Sequence, residues 1–462
     1  MERRREMNNN GDYTAFLAKK AQAGADEGFE PIWLPDFLFD FQRLLVEWAL
    51  RKGRAAIFAD CGLGKTPMSL VWAENVLRKT NKPVLILAPL AVSHQFIHEG
   101  EKFDIECKRC QNGRHSGGIV VTNYERLDCF DPKEFGGCVG DESSRIKHAT
   151  TKTRNMVTEF MREIPYRLLG TATAAPNDFF ELGTSSEALG YLGHQDMLTR
   201  FFKEDEVKDH LGWGRKTFRF RGHAELPFWR WVCSWSRACR KPSDLGFDDD
   251  GFVLPPLQER ELIVEASRKK KGTLFAVPAF TLPEQREERR STLRQRCEAA
   301  AELVSSHDDY SVIWCHLNDE GDLLEKIIPE AFQVKGSQSD ERKEERLRAF
   351  SDGELKRLII KPKIGAFGLN WQHCHNVVCF PGYSFEQYYQ AVRRCWRFGQ
   401  KREVDVTIIA SAGEKKVLAV MKRKAEQADR MFDNLVSSMD DVFHVERKVK
   451  FEKDEEMPSW LG

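Results

Sequence analysis

The sequence has no run of about 18 uncharged apolar residues, so no membrane-spanning helix is expected. It has no excess of either charge, with 71 Lys plus Arg against 71 Asp plus Glu. That balance excludes a uniformly basic coat, and any contact with nucleic acid must come from local patches. The start, MERRREMNNNGDY, is charged but lacks the apolar stretch of a secretory signal, and residues 1–35 read as a tail. The twelve cysteines lack the tight spacing of a disulfide framework, which fits a reducing, cytoplasmic compartment. Cys107 and Cys110 form a C-x-x-C pair near His115, Cys129 and Cys138, but a second pair with ligand spacing is missing, so zinc is not expected. His373 and His375 are too close along the chain to converge on one ion.

What is present is a rhythm. Short apolar runs bounded by turn residues fall at 54–60, 84–90, 118–124, 137–142 and 166–172, and again at 310–316, 331–336, 357–363, 376–382 and 404–410. Helical patterns such as PMSLVWAENVLRK (67–79) separate most of them. This alternation predicts α/β units with parallel sheets covered on both faces. The 462 residues then divide into one unit at 36–190 and a second at 290–415. Between them a mainly helical insertion is expected at 191–289, and a C-terminal helix and tail follow at 416–462.

The first unit contains AIFADCGLGKTPMSL (56–70), a Gly-Lys-Thr between a strand and a helix. That is the setting of a phosphate-binding loop. The generic spacing G-x-x-x-x-G-K-[ST] fails only at Ala59. Gly62 and Gly64 allow the backbone to turn its N–H groups toward phosphate oxygens, at the positive end of the following helix. Lys65 is placed to neutralise the terminal phosphates of a nucleotide, and Thr66 to hold Mg2+. Pro67 falls in the first helical turn, where a missing N–H costs little.

A phosphate loop needs an acidic partner, and GGCVGDESS ends a strand-like run in Asp141-Glu142. Asp141 is expected to hold Mg2+ and Glu142 to position the attacking water. In QAVRRCWRFGQ (390–400), Arg394 and Arg397 stand three apart and share a helix face or adjoining turn. On spacing alone that pair reads better as a solvated basic helix.

Taken in order, these stretches resemble the motifs of a superfamily 2 helicase, in particular the Swi/Snf-type double-stranded DNA translocases. FDFQRLLVEWAL resembles the leading segment, with Gln42 in the adenine-reading place. ADCGLGKT resembles the form D-x-G-L-G-K-T, which dispenses with the first Gly and adds Asp60 and Leu63 to the nucleotide-binding set. LILAPLAVSHQF, VVTNYERL, DESS and LLGTATAAPND follow in family order, although DESS departs from the commoner Asp-Glu-Ala-His. VIWCH, VKGSQSDERKEERLRAF, KIGAFGLNWQHCHNVVCF and QAVRRCWRFGQ continue the series through about residue 410. The resemblance implies two RecA-like domains in tandem, ATP and Mg2+ as cofactors, and duplex DNA as partner. It adds Gly368 and Gln390 to the nucleotide-binding residues and assigns Arg394 and Arg397 to the γ-phosphate. It makes Ser93, His94, Asn123, Tyr124, Thr171 and Thr173 candidate nucleic-acid contacts on the first unit, with Lys335, Ser337, Lys363 and Asn370 on the second.

The expected activity is a nucleic-acid-stimulated ATPase that translocates on double-stranded DNA as a monomer, in a prokaryotic cell or a virus-infected host. The alternatives are a strand-separating DNA or RNA helicase and an ATP-gated DNA-binding adaptor. Residues 211–241 hold four of the eleven Trp and eight Lys or Arg against one acid. Such interleaving can bind nucleic acid, but Phe228, Trp231, Trp235 and Cys239 lie near helical spacing and are expected in a core.

Overall fold

The computed structural model describes residues 26–146, 152–175, 178–208, 214–265, 282–365, 369–382 and 384–454. Among them no helix is long and apolar enough to cross a membrane. The chain divides into two compact units. One comprises the described residues up to Asp60 together with Gly64–Asp248 and those from Ala428 onward; the other comprises Cys61–Leu63 and Asp249–Gln427.

The first unit is built on a seven-stranded parallel sheet. Its strands are β1 (Arg54–Ala59), β2 (Val84–Ala88), β3 (Cys107–Arg109), β4 (Ile119–Asn123), β5 (Gly137–Asp141) and β6 (Tyr166–Gly170). An antiparallel hairpin of β7 (Phe202–Lys208) and β8 (Gly214–Phe220) stands apart, and β9 (Ser236–Cys239) closes the sheet, whose order is β3-β4-β2-β5-β6-β1-β9. Every residue of β2 and β5 is buried, as the apolar runs require of strands covered on both faces. Phe228, Trp231, Trp235 and Cys239 are buried too, so the aromatic stripe is core. Met431, Phe432, Leu435 and Met439, from the helix Lys415–Asp454, add to the same core.

The second unit carries a six-stranded parallel sheet of β10 (Leu257–Val264), β11 (Ser311–Trp314), β12 (Ala331–Val334), β13 (Arg357–Ile360), β14 (Asn376–Cys379) and β15 (Val404–Ser411). The order is β10-β15-β14-β11-β13-β12. Its strands alternate: Val312 and Trp314, Leu358 and Ile360, Val377 and Cys379 line one face, with Trp371 and Phe350. Ile313, Ile359, Val378 and Ile409 line the other, against Ala300 and Val304. Alternate side chains of a strand point to opposite faces, so each apolar run supplies both layers at once.

The ten expected strands are all present, and the two α/β units have the architecture of tandem RecA-like domains. The segment 191–289 differs from the separate helical insertion expected there. β9 pairs with β1 in the first sheet and β10 with β15 in the second. Their sequences, SRAC and LQERELIV, are too short or too charged to read as sheet strands, because β10 is an edge strand with mostly exposed side chains. The tail also ends earlier than 35. The fully buried Asn75 accepts from the N–H groups of Ile32 and Trp33 (2.8 and 2.9 Å) and donates to the carbonyl of Trp33 (2.7 Å). A buried amide satisfied this way ties that segment to the domain.

Candidate nucleotide site

In a parallel sheet all strands end at the same edge, and ligands of open α/β sheets bind outside those carboxyl ends. β5, β6 and β1 are neighbours in that order. The segments that follow them are Glu142–Ser144, Thr171–Thr173 and the loop Asp60–Gly64, so the acidic pair, the Thr-rich stretch and the phosphate-type loop share one edge.

The loop leaves β1 at Ala59 and enters the helix Lys65–Thr80. Gly62 and Gly64 take φ of 91° and 76°, the left-handed region that favours glycine. A side chain on Gly64 would also clash with the amide nitrogen of Gln42. Gln42 is buried, and its Oε1 accepts from the N–H of Phe39 at 3.1 Å. Asp60 and Leu63 are buried, whereas Thr66 is half-buried. Pro67 occupies the first helical turn. The Lys65 ammonium donates to the carbonyls of Ala59 (2.8 Å) and Asp60 (3.1 Å), folding back across its own loop.

At the end of β5, Asp141 is 7% exposed and Glu142 takes φ of 56°, uncommon for a residue with a side chain. Glu142 Oε1 accepts from Ser144 Oγ at 2.7 Å and from Thr171 Oγ1 at 2.6 Å. Thr171 Oγ1 in turn accepts from the N–H of Thr173 at 3.0 Å. The Tyr124 hydroxyl donates to the Asp141 carbonyl at 2.7 Å. Burial, and then Asp141, push that phenol well above its ordinary range, so it stays a neutral donor.

The residues expected to touch nucleic acid differ in their exposure. Ser93, Tyr124, Thr171 and Thr173 are buried. The hydroxyls of Tyr124 and Thr171 point inward, to the acidic corner. Sequence pattern places a residue at a strand end but does not give the direction of its side chain. Asn123 is half-buried, with an Oδ1 that makes no hydrogen bond among the described residues. His94 is exposed, its Nε2 lying 2.7 Å from an Arg109 nitrogen. On the second unit Ser337, Lys363 and Asn370 are exposed. Lys335 instead pairs with Asp322 (2.8 Å) and Glu325 (3.4 Å), and the Asp322 hydrogen bond raises its pKa.

Arg394 and Arg397 lie beyond the helix Phe385–Val392, in the turns that follow it. Both guanidinium groups donate to one carbonyl, that of Leu369, at 3.0 and 3.1 Å. Arg394 also donates to the Gln390 carbonyl at 3.0 Å. Gln390 is fully buried, and neither atom of its amide is hydrogen-bonded among the described residues. Gly368 lies outside the described residues. In the hairpin, Arg219 pairs with Asp205 at 2.8 Å, and Arg221 donates to the carbonyl of Phe202 at 2.6 Å.

Sequence reasoning missed the network behind β11. Arg296 and Glu320, each 1% exposed, pair at 2.8 Å. Arg289 pairs with Glu414 at 2.8 Å and donates to the Pro381 carbonyl at 2.7 Å. Glu320 also accepts from the N–H groups of His316 (2.8 Å) and Leu317 (2.9 Å). His316 Nε2 lies 3.2 Å from the Phe380 carbonyl, and burial pushes its pKa down to about 4. No motif signals this cluster, because its members are scattered over more than a hundred residues.

Comparison with known proteins adds the family context. Residues 295–399 match the helicase conserved C-terminal domain. A stretch of 145 residues, 28% of this chain, is 34% identical to DNA repair protein RAD5 of Yarrowia lipolytica (strain CLIB 122 / E 150) and covers 14% of that protein. A stretch of 96 residues, 20% of this chain, is 34% identical to the bifunctional helicase and thymine dioxygenase JBP2 of Leishmania tarentolae and covers 9% of it. The chain thus spans a small part of each relative. Together these matches support a helicase of superfamily 2.

Proposed function

We propose that this chain is a DNA-stimulated ATPase of the Swi/Snf type, which couples ATP hydrolysis to movement along duplex DNA. The observation that carries the reading is the shared edge of the first sheet, where a glycine-built loop with Lys65 and the pair Asp141-Glu142 follow neighbouring strands. The helicase-domain match on residues 295–399 supports it independently.

The donors fit magnesium-bound ATP. The Thr66 hydroxyl and the Asp141 carboxylate are hard oxygens of the kind Mg2+ takes, and Lys65 supplies a cation for the phosphates. When bound, Mg2+-ATP supplies the phosphoanhydride and the metal charge that screens it. The loop N–H groups and Lys65 bind and orient the phosphates. Gln42, packed against Gly64, is the side chain suited to the base. Glu142 orients the water.

On this reading the strand is followed by backbone contact, which needs a basic stripe and not a basic protein. The exposed His94, Ser337, Lys363 and Asn370 remain the proposed contacts. The test is the phosphate-release rate without nucleic acid and then with duplex DNA, single-stranded DNA and RNA. The largest stimulation is expected with duplex DNA, and absence of stimulation by all three would remove the motor reading.

A further inference from the structure

The departure of DESS from Asp-Glu-Ala-His puts a hydroxyl two residues after Glu142, and the structure shows what that hydroxyl does. Ser144 sits in the short turn Ser143–Ile146, held by the Arg145 N–H donating to the Glu142 carbonyl at 3.1 Å. From there Ser144 Oγ reaches back to Glu142 Oε1 at 2.7 Å, a local side-chain bond of a kind serine makes readily. Thr171 Oγ1 donates to the same oxygen at 2.6 Å. Among the described residues no hydrogen bond falls on Oε2. One oxygen of the carboxylate thus carries two hydroxyl donors, while the backbone beneath it holds a left-handed φ of 56° that a side chain disfavours.

We propose that Ser144, together with Thr171, restrains Glu142 in a resting position, so that release of this oxygen must precede hydrolysis. Ser144 is a positioning residue: it acts through Glu142, fixing the direction of a carboxylate that must turn to meet the attacking water. Thr171 Oγ1 is fixed by the N–H of Thr173, so movement of the loop after β6 pulls one of the two donors away. The Ser144 bond is local to the turn after β5 and does not depend on that loop. The two bonds together therefore set the idle rate, and loop movement, by removing the Thr171 bond, leaves Glu142 held by Ser144 alone. This inference rests on the reading of Glu142 as the water-orienting group.

The experiment compares the unaltered full-length chain with Ser144→Ala, Ser144→Thr and Thr171→Val, measuring phosphate release from ATP without nucleic acid and with saturating duplex DNA. Ser144→Ala is expected to raise kcat without nucleic acid by about three- to tenfold, the worth of one net hydrogen bond. KM should stay within about twofold, because ATP binding is untouched. The stimulated rate should rise by a similar factor, because the Ser144 bond persists when the loop moves, so the ratio of stimulated to idle rate holds. Ser144→Thr, which keeps a hydroxyl, should restore the original rates. Should Ser144→Ala fail to fold, Thr171→Val carries the same expectation for the idle rate. An idle rate that falls or stays constant in the folded variants overturns the proposal. The underlying reading fails separately, if Glu142→Gln retains turnover.

Discussion

At the carboxyl ends of β5 and β6 the first sheet holds Glu142 through two neutral hydroxyls, whereas behind β11 of the second sheet Glu320 lies against the Arg296 guanidinium. Glu142 is half-buried and makes no ion pair among the described residues. Glu320 is 1% exposed, neutralised, and caps the chain where it leaves β11. A carboxylate held by hydroxyls can be released for water or metal at the cost of one or two net hydrogen bonds. One paired with a buried cation cannot be released without stranding a charge in the interior. The same residue type therefore serves chemistry in one unit and scaffold in the other, and the partner decides which.

The largest effect that follows from this contrast is on stability. Arg296→Met strands Glu320, and breaking a buried pair costs about 3–5 kcal/mol. Hydrogen exchange should show lost protection in β11 and β14 while β2 and β5 of the first sheet keep theirs. Equal loss in both sheets would break the comparison. A smaller effect depends on pH. His316 is neutral when folded, since burial places its pKa near 4, below the ordinary value of about 6.5. The unfolded chain binds the extra proton first, so the stability this residue confers is complete above about pH 6.5. It is lost as pH falls toward 4, at up to about 1.4 kcal/mol per pH unit. Denaturant melts of the unaltered chain and His316→Gln should diverge in that window alone. Parallel curves would show that His316 does not carry the effect.

The central strands were legible in the sequence because they are buried on both faces, and an unbroken apolar run such as VLILA has no other common home in an α/β protein. The edge strand LQERELIV was not, since exposure lets charged residues in and erases the pattern. The phosphate-type loop and Asp141-Glu142 were legible through spacing and strand–helix context. Tyr124 was legible at its strand end but the direction of its hydroxyl was not, because the hydroxyl's partner is a carbonyl 17 residues on. Ser144 carried a signal in its departure from the commoner box, although only the fold shows which oxygen it bonds. Arg296 and Glu320 look like helix-surface residues in sequence. Their pairing depends on two helices, Leu293–Ser305 and Asn318–Ile327, packing against each other.

The central claim is that the acidic corner of the first sheet is the hydrolytic site and that Glu142 acts on water and not on the nucleotide. The most direct measurement is ATP binding and phosphate release by Glu142→Gln in parallel. The account predicts ATP affinity within about twofold of the unaltered chain, with phosphate release reduced by two or more orders of magnitude. Lost binding, or turnover that persists, would contradict it.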